Sequence, residues 1–442
     1  MSVSEKKVAT YVFSLSFVVI SCSLLNSFSI DKHFAADGVN YFCNILECSA
    51  VVHWGWSRLF AHYLTQWPLL IAVKAGVANM ATLSKLFSAG IYFPYVLSFA
   101  LCIYALRKES KTLLCFPLMS MVAINLQSDY LLACEHQVMV TMSWPILFLL
   151  LRRKRLMWRD GLLLWTSVLL FSRLYETAVA PAVIFIFLCV MRLRTFRHKQ
   201  EAILSGISLV LSIAVVVISV FFIVDPTSAA NKASFVTAIP CSLTNFGALA
   251  AGCFCLLFTG GVVLRKRVVI VSAALPLLIY VLFRTFVNYH LSANVSGASR
   301  SLSLTLLPVL LLCAIMVWYF KSELDNTSIL IFTAFIVFMT AINIYDSNDW
   351  RKFAAQVKQI VETQRGYVSI EDTVLNKNSF GNNWTNTELG LVWSAPCVRA
   401  ILLNPSGIFW QPFDPRNKLV LKQYLKYDAC FKTTDKSIST CN

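Results

Sequence analysis

Apolar runs of about 20 residues, the length that crosses a hydrocarbon core as an α-helix, recur along the first three-quarters of the chain. The first, residues 8–27, follows a short basic head, MSVSEKK, and has no small-residue cleavage pattern. It predicts a retained anchor rather than a removed signal. Further spans are expected at 88–106, 112–127, 138–151, 161–174, 177–191, 203–224, 243–264, 268–286, 302–320 and 327–345. Between the first two lies a long polar and aromatic stretch, 28–68, followed by LLIAVKAGVANMATLSKLF. Lys74, Asn79 and Lys85 interrupt that segment, which predicts an interfacial helix rather than a span. After residue 346 the pattern changes to alternating apolar positions with Pro, Gly and Asn turns (NPSG, QPFDP, GNN). That pattern predicts a small α/β soluble domain. The expected fold is therefore an all-α polytopic membrane protein of about 11 transmembrane helices, residues 1–345, carrying an outer loop at 28–87 and a tail domain at 346–442.

Charge gives this plan a direction. Basic clusters fall at Arg107/Lys108/Lys111, RRKR 152–155, RLRTFRHK 192–199, RKR 265–267 and Lys321. With eleven spans and a cytoplasmic N-terminus they all lie on one side, as the positive-inside rule requires. The stretches 128–137 and 225–242 are nearly free of Lys and Arg. Residues 28–87 and the tail are then outside the cytoplasm. Between the clusters at 152–155 and 192–199, the two helices expected at 161–174 and 177–191 take up about 30 residues. Each reaches about 22–24 Å, short of a core of roughly 30 Å, so their junction, SRLYET, is expected to sit below the outer surface.

Composition narrows the function. The chain is 57% hydrophobic and 14% charged, against roughly 25% charged in soluble domains, and its mean hydropathy is +0.67. The net charge of +16 sits largely in the clusters above, so it points to membrane topology and not to nucleic acid. Many of the 14 cysteines lie inside apolar runs and read as small core residues. With no CxxC or Cys/His zinc spacing, neither a metal nor another cofactor is expected. Cys43 and Cys48 in the loop, and Cys397, Cys430 and Cys441 in the tail, lie where disulfides are permitted, with no connectivity assigned.

Candidate chemistry gathers at the outer ends of the helices. Asp37 lies about ten residues beyond the first span and either accepts a proton or caps the NYFCNIL helix. Asp31, closer to the membrane, reads as a cap or interfacial charge. Glu135 and His136 open the span at 138–151, where the helix dipole alone favours an acid, with Asp129 nearby. Arg58, in HWGWSRLF, binds a phosphate or snorkels. Arg173, Tyr175 and Glu176 lie in the sunken junction, where a charge needs a wet cavity or a partner. They form either a structural Arg–Glu pair or a site wall. His53, His62, Trp54 and Trp56 read as interfacial aromatics. Tyr289, His290, Arg284 and Arg300 mark the last outer loop. No nucleotide-binding or hydrolase motif is present.

An N-terminal span, an outer loop with an early acid, an amphipathic return and many further spans resemble the GT-C glycosyltransferases. More closely, AADGVNYF followed by HWGWSRLFAHYL and a proline-led apolar segment resembles the bacterial O-antigen-modifying (serotype-converting) glucosyltransferases. Asp37 matches the first acid of that family's pair; Gly38 stands where the second would be, and Gly55-Trp56-Ser57-Arg58 replaces a more compact Gly-Arg. The resemblance covers roughly residues 8–180. It implies a bacterial inner-membrane enzyme with a periplasmic tail that moves a sugar, glucose by preference, from an undecaprenyl-phosphate donor to O-antigen, lipopolysaccharide or another surface glycan, with inversion. Asp37 is then the base, with Glu135 as its assistant or substitute. Arg58 and Arg173 hold the phosphate, Glu176 orients Arg173 or binds sugar, and His136 and Tyr175 line the donor site. A small flippase and a donor-lipid synthase are the protein partners it implies. An O-antigen polymerase and a lipid or solute transporter are the competing classes.

Overall fold

The computed structural model describes residues 3–35, 37–52, 55–107, 109–125, 135–153, 156–195, 198–226, 246–287, 295–377, 385–404, 421, 423–428 and 431. His53, Trp54, Asp129, His290, Tyr289, Cys430 and Cys441 lie outside these residues, as do the side chains of Arg284 and Arg300.

The chain is mostly helical. In order come α1 (Val3–Ile30), α2 (Asp37–Cys48), α3 (Leu59–Lys74), α4 (Met80–Ala105), α5 (Cys115–Ser120), α6 (Glu135–Leu150), α7 (Trp158–Phe171), α8 (Val179–Thr195), α9 (Lys199–Val224), α10 (Phe246–Leu264), α11 (Arg267–Ser272), α12 (Ala274–Val287), α13 (Val295–Tyr319), α14 (Asn326–Thr363) and α15 (Asn386–Trp393). Among the described residues five helices are long and apolar enough to cross a membrane: Thr10–Ile30, Met80–Ala105, Glu176–Thr195, Lys199–Val224 and Asn326–Thr363. Shorter apolar helices occupy Lys111–Ile124, Leu249–Leu264, Arg267–Leu282 and Ser303–Tyr319. Large apolar side chains such as Phe17, Val210, Val217, Leu256 and Leu330 stand exposed on these helices. In water that would be costly; against lipid it is the expected outer face of a membrane protein.

At the centre is α6, every residue of which is buried. It packs against α3, α4, α7, α8 and α13, and its uniform burial explains an apolar sequence with no polar stripe. One end of the bundle is closed by a charged belt. Asp160 accepts from Arg107 at 2.7 Å and from the Tyr104 hydroxyl at 3.1 Å, and its Oδ2 is ion-paired with Arg152 Nη1 2.6 Å away. Arg192 lies 3.7 Å from Glu201 and donates to the carbonyls of Leu150 and Arg152. Three of the basic clusters thus meet at one end of the bundle. Glu135 and Glu176 open helices at the other.

Two expected elements differ. The segment expected to lie in the interface is a turn between two helices. Lys74 ends α3, Gly76 adopts a left-handed φ of 77°, and the Asn79 side chain accepts from the Thr82 amide to start α4. The two helices then pack so closely that a Cβ on Gly90 would collide with the Thr65 carbonyl oxygen. At the other end, α14 runs through the boundary placed at 345. The sequence from 326 to 363 contains neither Gly nor Pro, so nothing stops the helix where its apolar part ends. Its 38 residues extend about 57 Å at 1.5 Å each, well beyond a core of roughly 30 Å.

The projecting half of α14 carries the tail. β1 (Gly366–Ser369) pairs in parallel with β3 (Ala400–Leu403), and β2 (Cys397–Val398) with β4 (Lys426–Tyr427). Helix α15 packs on β3, α14 and α2. The tail is fastened to the end of α1. The Trp350 indole donates to the Ile30 carbonyl at 2.9 Å, Lys32 Nζ to Ser347 Oγ at 2.9 Å, and Lys358 Nζ to Asp31 Oδ2 at 2.8 Å.

Candidate active site

Two short loops interlock where α3 and α8 begin. The Phe60 amide donates to the Arg173 carbonyl at 3.1 Å, and Arg173 Nη1 donates to the Trp56 carbonyl at 3.1 Å. Between them a charged cluster is buried. Arg58 Nε donates to Glu176 Oε1 at 2.9 Å, its Nη1 lies 3.6 Å from Glu135 Oε2, and its guanidinium sits 4.9 Å from the centre of the Tyr175 ring. Both carboxylates are only 4% exposed, and the Arg58 side chain 13%. Charges so deep need each other, because the desolvation cost of each runs to several kcal/mol.

Glu135 is the hub. Its Oε1 accepts from the Tyr41 hydroxyl at 2.5 Å and lies 3.4 Å from His62 Nε2. Gln66 fixes that imidazole: its Nε2 donates to the Val52 carbonyl at 2.8 Å and sits 3.3 Å from His62 Nδ1. An amide donating to Nδ1 leaves the ring proton on Nε2, facing Glu135. Burial, then the Glu135 carboxylate, push the Tyr41 phenol well above its ordinary pKa, so Tyr41 stays a proton donor to Glu135. Glu176 Oε1 also accepts from Ser57 Oγ at 2.8 Å, whereas its buried Oε2 has no hydrogen-bond partner among the described residues.

Helical spacing builds the cluster. Asp37 opens α2 half-buried and Tyr41 follows one turn later, so the two share a face. The acid is close enough to raise the Tyr41 phenol further. His62 stands in the same relation to Arg58. His136, wholly buried, lies with its ring 6.1 Å from that of Tyr175.

Of the nominated residues, Arg58, Glu135, Tyr175 and Glu176 are thus brought together, with His136 against Tyr175 and Asp37 a turn from Tyr41. Arg173 is not in the cluster. Its guanidinium turns to Trp56 and lies 5.9 Å from the Phe222 ring, and Glu176 pairs with Arg58 in its place. His62 is a buried partner of Glu135 rather than an interfacial aromatic. Tyr41 and Ser57 join the cluster without a charge to mark them in the sequence, although Tyr41 stands four residues after Asp37 on one helix. Among the described residues no group of three or more His, Cys, Asp or Glu side chains could hold a metal ion.

No family model matches the chain, and no curated protein or solved structure matches it either.

Proposed function

We propose that the chain is a membrane-embedded glycosyltransferase that takes a sugar from a polyprenyl-phosphate donor and gives it to a hydroxyl of a surface glycan. The observation that carries this reading is the cluster itself: two buried carboxylates on one arginine, with a third carboxylate, Asp37, one turn from the tyrosine that holds Glu135. In direct displacement the acceptor oxygen bonds to the anomeric carbon as the carbon–phosphate-oxygen bond breaks. The acceptor proton passes to a carboxylate, and the lipid phosphate leaves with the electron pair, inverting the centre. The half-buried Asp37 is assigned as base, and Glu135, whose Oε1 accepts from Tyr41 and faces His62, as the group that fixes the site's shape. Arg58, held between the two carboxylates, is assigned to the phosphate, where charge develops in the transition state.

The membrane setting supports the same assignment, since the donor's lipid needs an apolar wall and the chain exposes large apolar side chains on several helices. With the basic belt on the cytoplasmic side, the cluster and the tail face the periplasm. Cys397 is disulfide-bonded, which suits that compartment.

One observation favours a second class. Arg58 is flanked by two carboxylates, one of which also faces His62, and α5 runs into a π turn at Met121–Asn125. Broken helices beside buried ion pairs also occur in transporters. Transfer of labelled glucose from polyprenyl-phosphate-glucose to a lipopolysaccharide acceptor by the purified protein, with the new linkage of opposite anomeric configuration to the donor, is the expected outcome. Substrate accumulation in proteoliposomes without any transfer would replace the enzyme with a transporter.

A further inference from the structure

A second site is lined by none of the residues of the charged cluster. A cleft of about 550 Å³ opens between the end of α1, the start of α4, the projecting part of α14 and the tail. Its volume falls within the roughly 300–1,000 Å³ of small-molecule sites. Asp31, Asn79, Ser84, Lys358, Trp393 and Tyr424 line it.

These groups have a definite chemistry. Trp393 and Tyr424 bring two aromatic rings to one cleft, and Lys358 Nζ, 5.0 Å from the centre of the Trp393 ring, fixes the indole from one direction while Trp350, 6.0 Å away, packs from another. Lys358 is also paired with Asp31 at 2.8 Å. The lining charges therefore sum to zero: one carboxylate, one ammonium, and the neutral amide and hydroxyl of Asn79 and Ser84. A phosphate or uronate would gain nothing net here. Asp31 reaches its partner from a left-handed backbone, φ 52°, a conformation that costs a non-glycine residue energy and tends to be kept at binding sites. Hydroxyl groups, in contrast, can donate to the Asp31 carboxylate and accept from Lys358 at once, and a pyranose ring has an apolar face for an aromatic side chain.

The cleft communicates with the charged cluster through one helix. Phe34, at the cleft wall, packs edge-on to Phe42 at 5.0 Å, and the neighbouring Tyr41 bonds Glu135. From the tail side, Glu388 of α15 accepts from Asn40 of α2 at 3.2 Å. Both walls of the cleft therefore bear on the helix that carries Asp37.

We propose that this cleft binds a neutral saccharide, the glycan acceptor. The acceptor role rests on the transferase reading, whereas saccharide binding stands on the cleft alone. The test uses the full chain in nanodiscs and two probes: neutral O-polysaccharide released from lipopolysaccharide, and glucose 1-phosphate as the anionic control. Equilibrium dialysis should show saturable binding of the polysaccharide and none of the phosphate. Lys358→Met, which keeps the aliphatic stem at a half-exposed position, and Asp31→Asn should each weaken binding by about tenfold or more, and Trp393→Phe should weaken it less than Trp393→Ala. Folded wild-type protein that binds neither probe, variants that bind as wild type does, or tighter binding of glucose 1-phosphate would each overturn the proposal. Normal polysaccharide binding by a protein that transfers no sugar would instead remove the transferase reading and leave the cleft.

Discussion

Replacing Arg58 by methionine removes the cation from between two buried carboxylates while keeping most of the apolar stem. Three contacts are lost: the 2.9 Å hydrogen bond to Glu176, the 3.6 Å approach to Glu135 and the face of Tyr175. Removing one partner of a buried pair costs about 3–5 kcal/mol, since the other charge is stranded. The residual exposure of Arg58 lets some water in, so a loss near 3 kcal/mol is expected. A second substitution separates charge from packing. In the wild type, Glu176→Gln should destabilise, because it weakens the bond from Arg58. In the Arg58→Met background it should stabilise, because it removes one stranded anion and leaves an amide oxygen for Ser57. The four proteins would be compared by unfolding midpoints in one detergent, and the coupling taken from the cycle. If Glu176→Gln destabilised equally in both backgrounds, the two side chains would not form a coupled unit and the cluster as described would be wrong.

At the opposite end of the bundle, Asp160→Asn should destabilise by a similar amount, about 3–5 kcal/mol, because Arg152 is buried against it; an unchanged melting midpoint would contradict this. Gly90→Ala should lower the midpoint too, since its Cβ would meet the Thr65 backbone carbonyl and overpacking costs about 1–3 kcal/mol. Glu388 is pushed up to about 7 by burial. The folded state then holds a proton that the unfolded state releases near its ordinary 4.5. Its contribution is fully present below 4.5 and is lost as pH rises to about 7. Glu388→Gln should remove that part of the pH dependence, and identical stability profiles for the two proteins would refute the assignment.

The long apolar runs reveal helices because lipid and core both demand them, and the basic clusters indicate which helix ends meet. What misleads is the meaning of an interruption. Lys74 and Asn79 resemble the polar stripe of one interfacial helix, but they end one helix and cap the next, and only the short link with Gly76 distinguishes the cases. At 345 the loss of apolarity marks the change of solvent, not the end of α14. The site is half legible for a similar reason. Arg58, Glu135 and Glu176 stand out as charges beside apolar spans. Their pairing does not, because Arg173 is nearer in sequence to Glu176 than Arg58 is, and only the interlocked loops turn it away. Tyr41 and His62 carry no charge signal; their one mark is a position one turn after a nominated residue.

The most direct test of the central claim is the rate of sugar transfer from polyprenyl-phosphate-glucose by wild type and by Asp37→Asn. Both proteins would first be shown to have the same melting midpoint. Wild-type transfer with a fall of at least about a hundredfold in the variant, the lower range for removal of a general base, is the predicted result. Equal rates in the two proteins would contradict Asp37 as the base, and no transfer by well-folded wild type would contradict the enzyme.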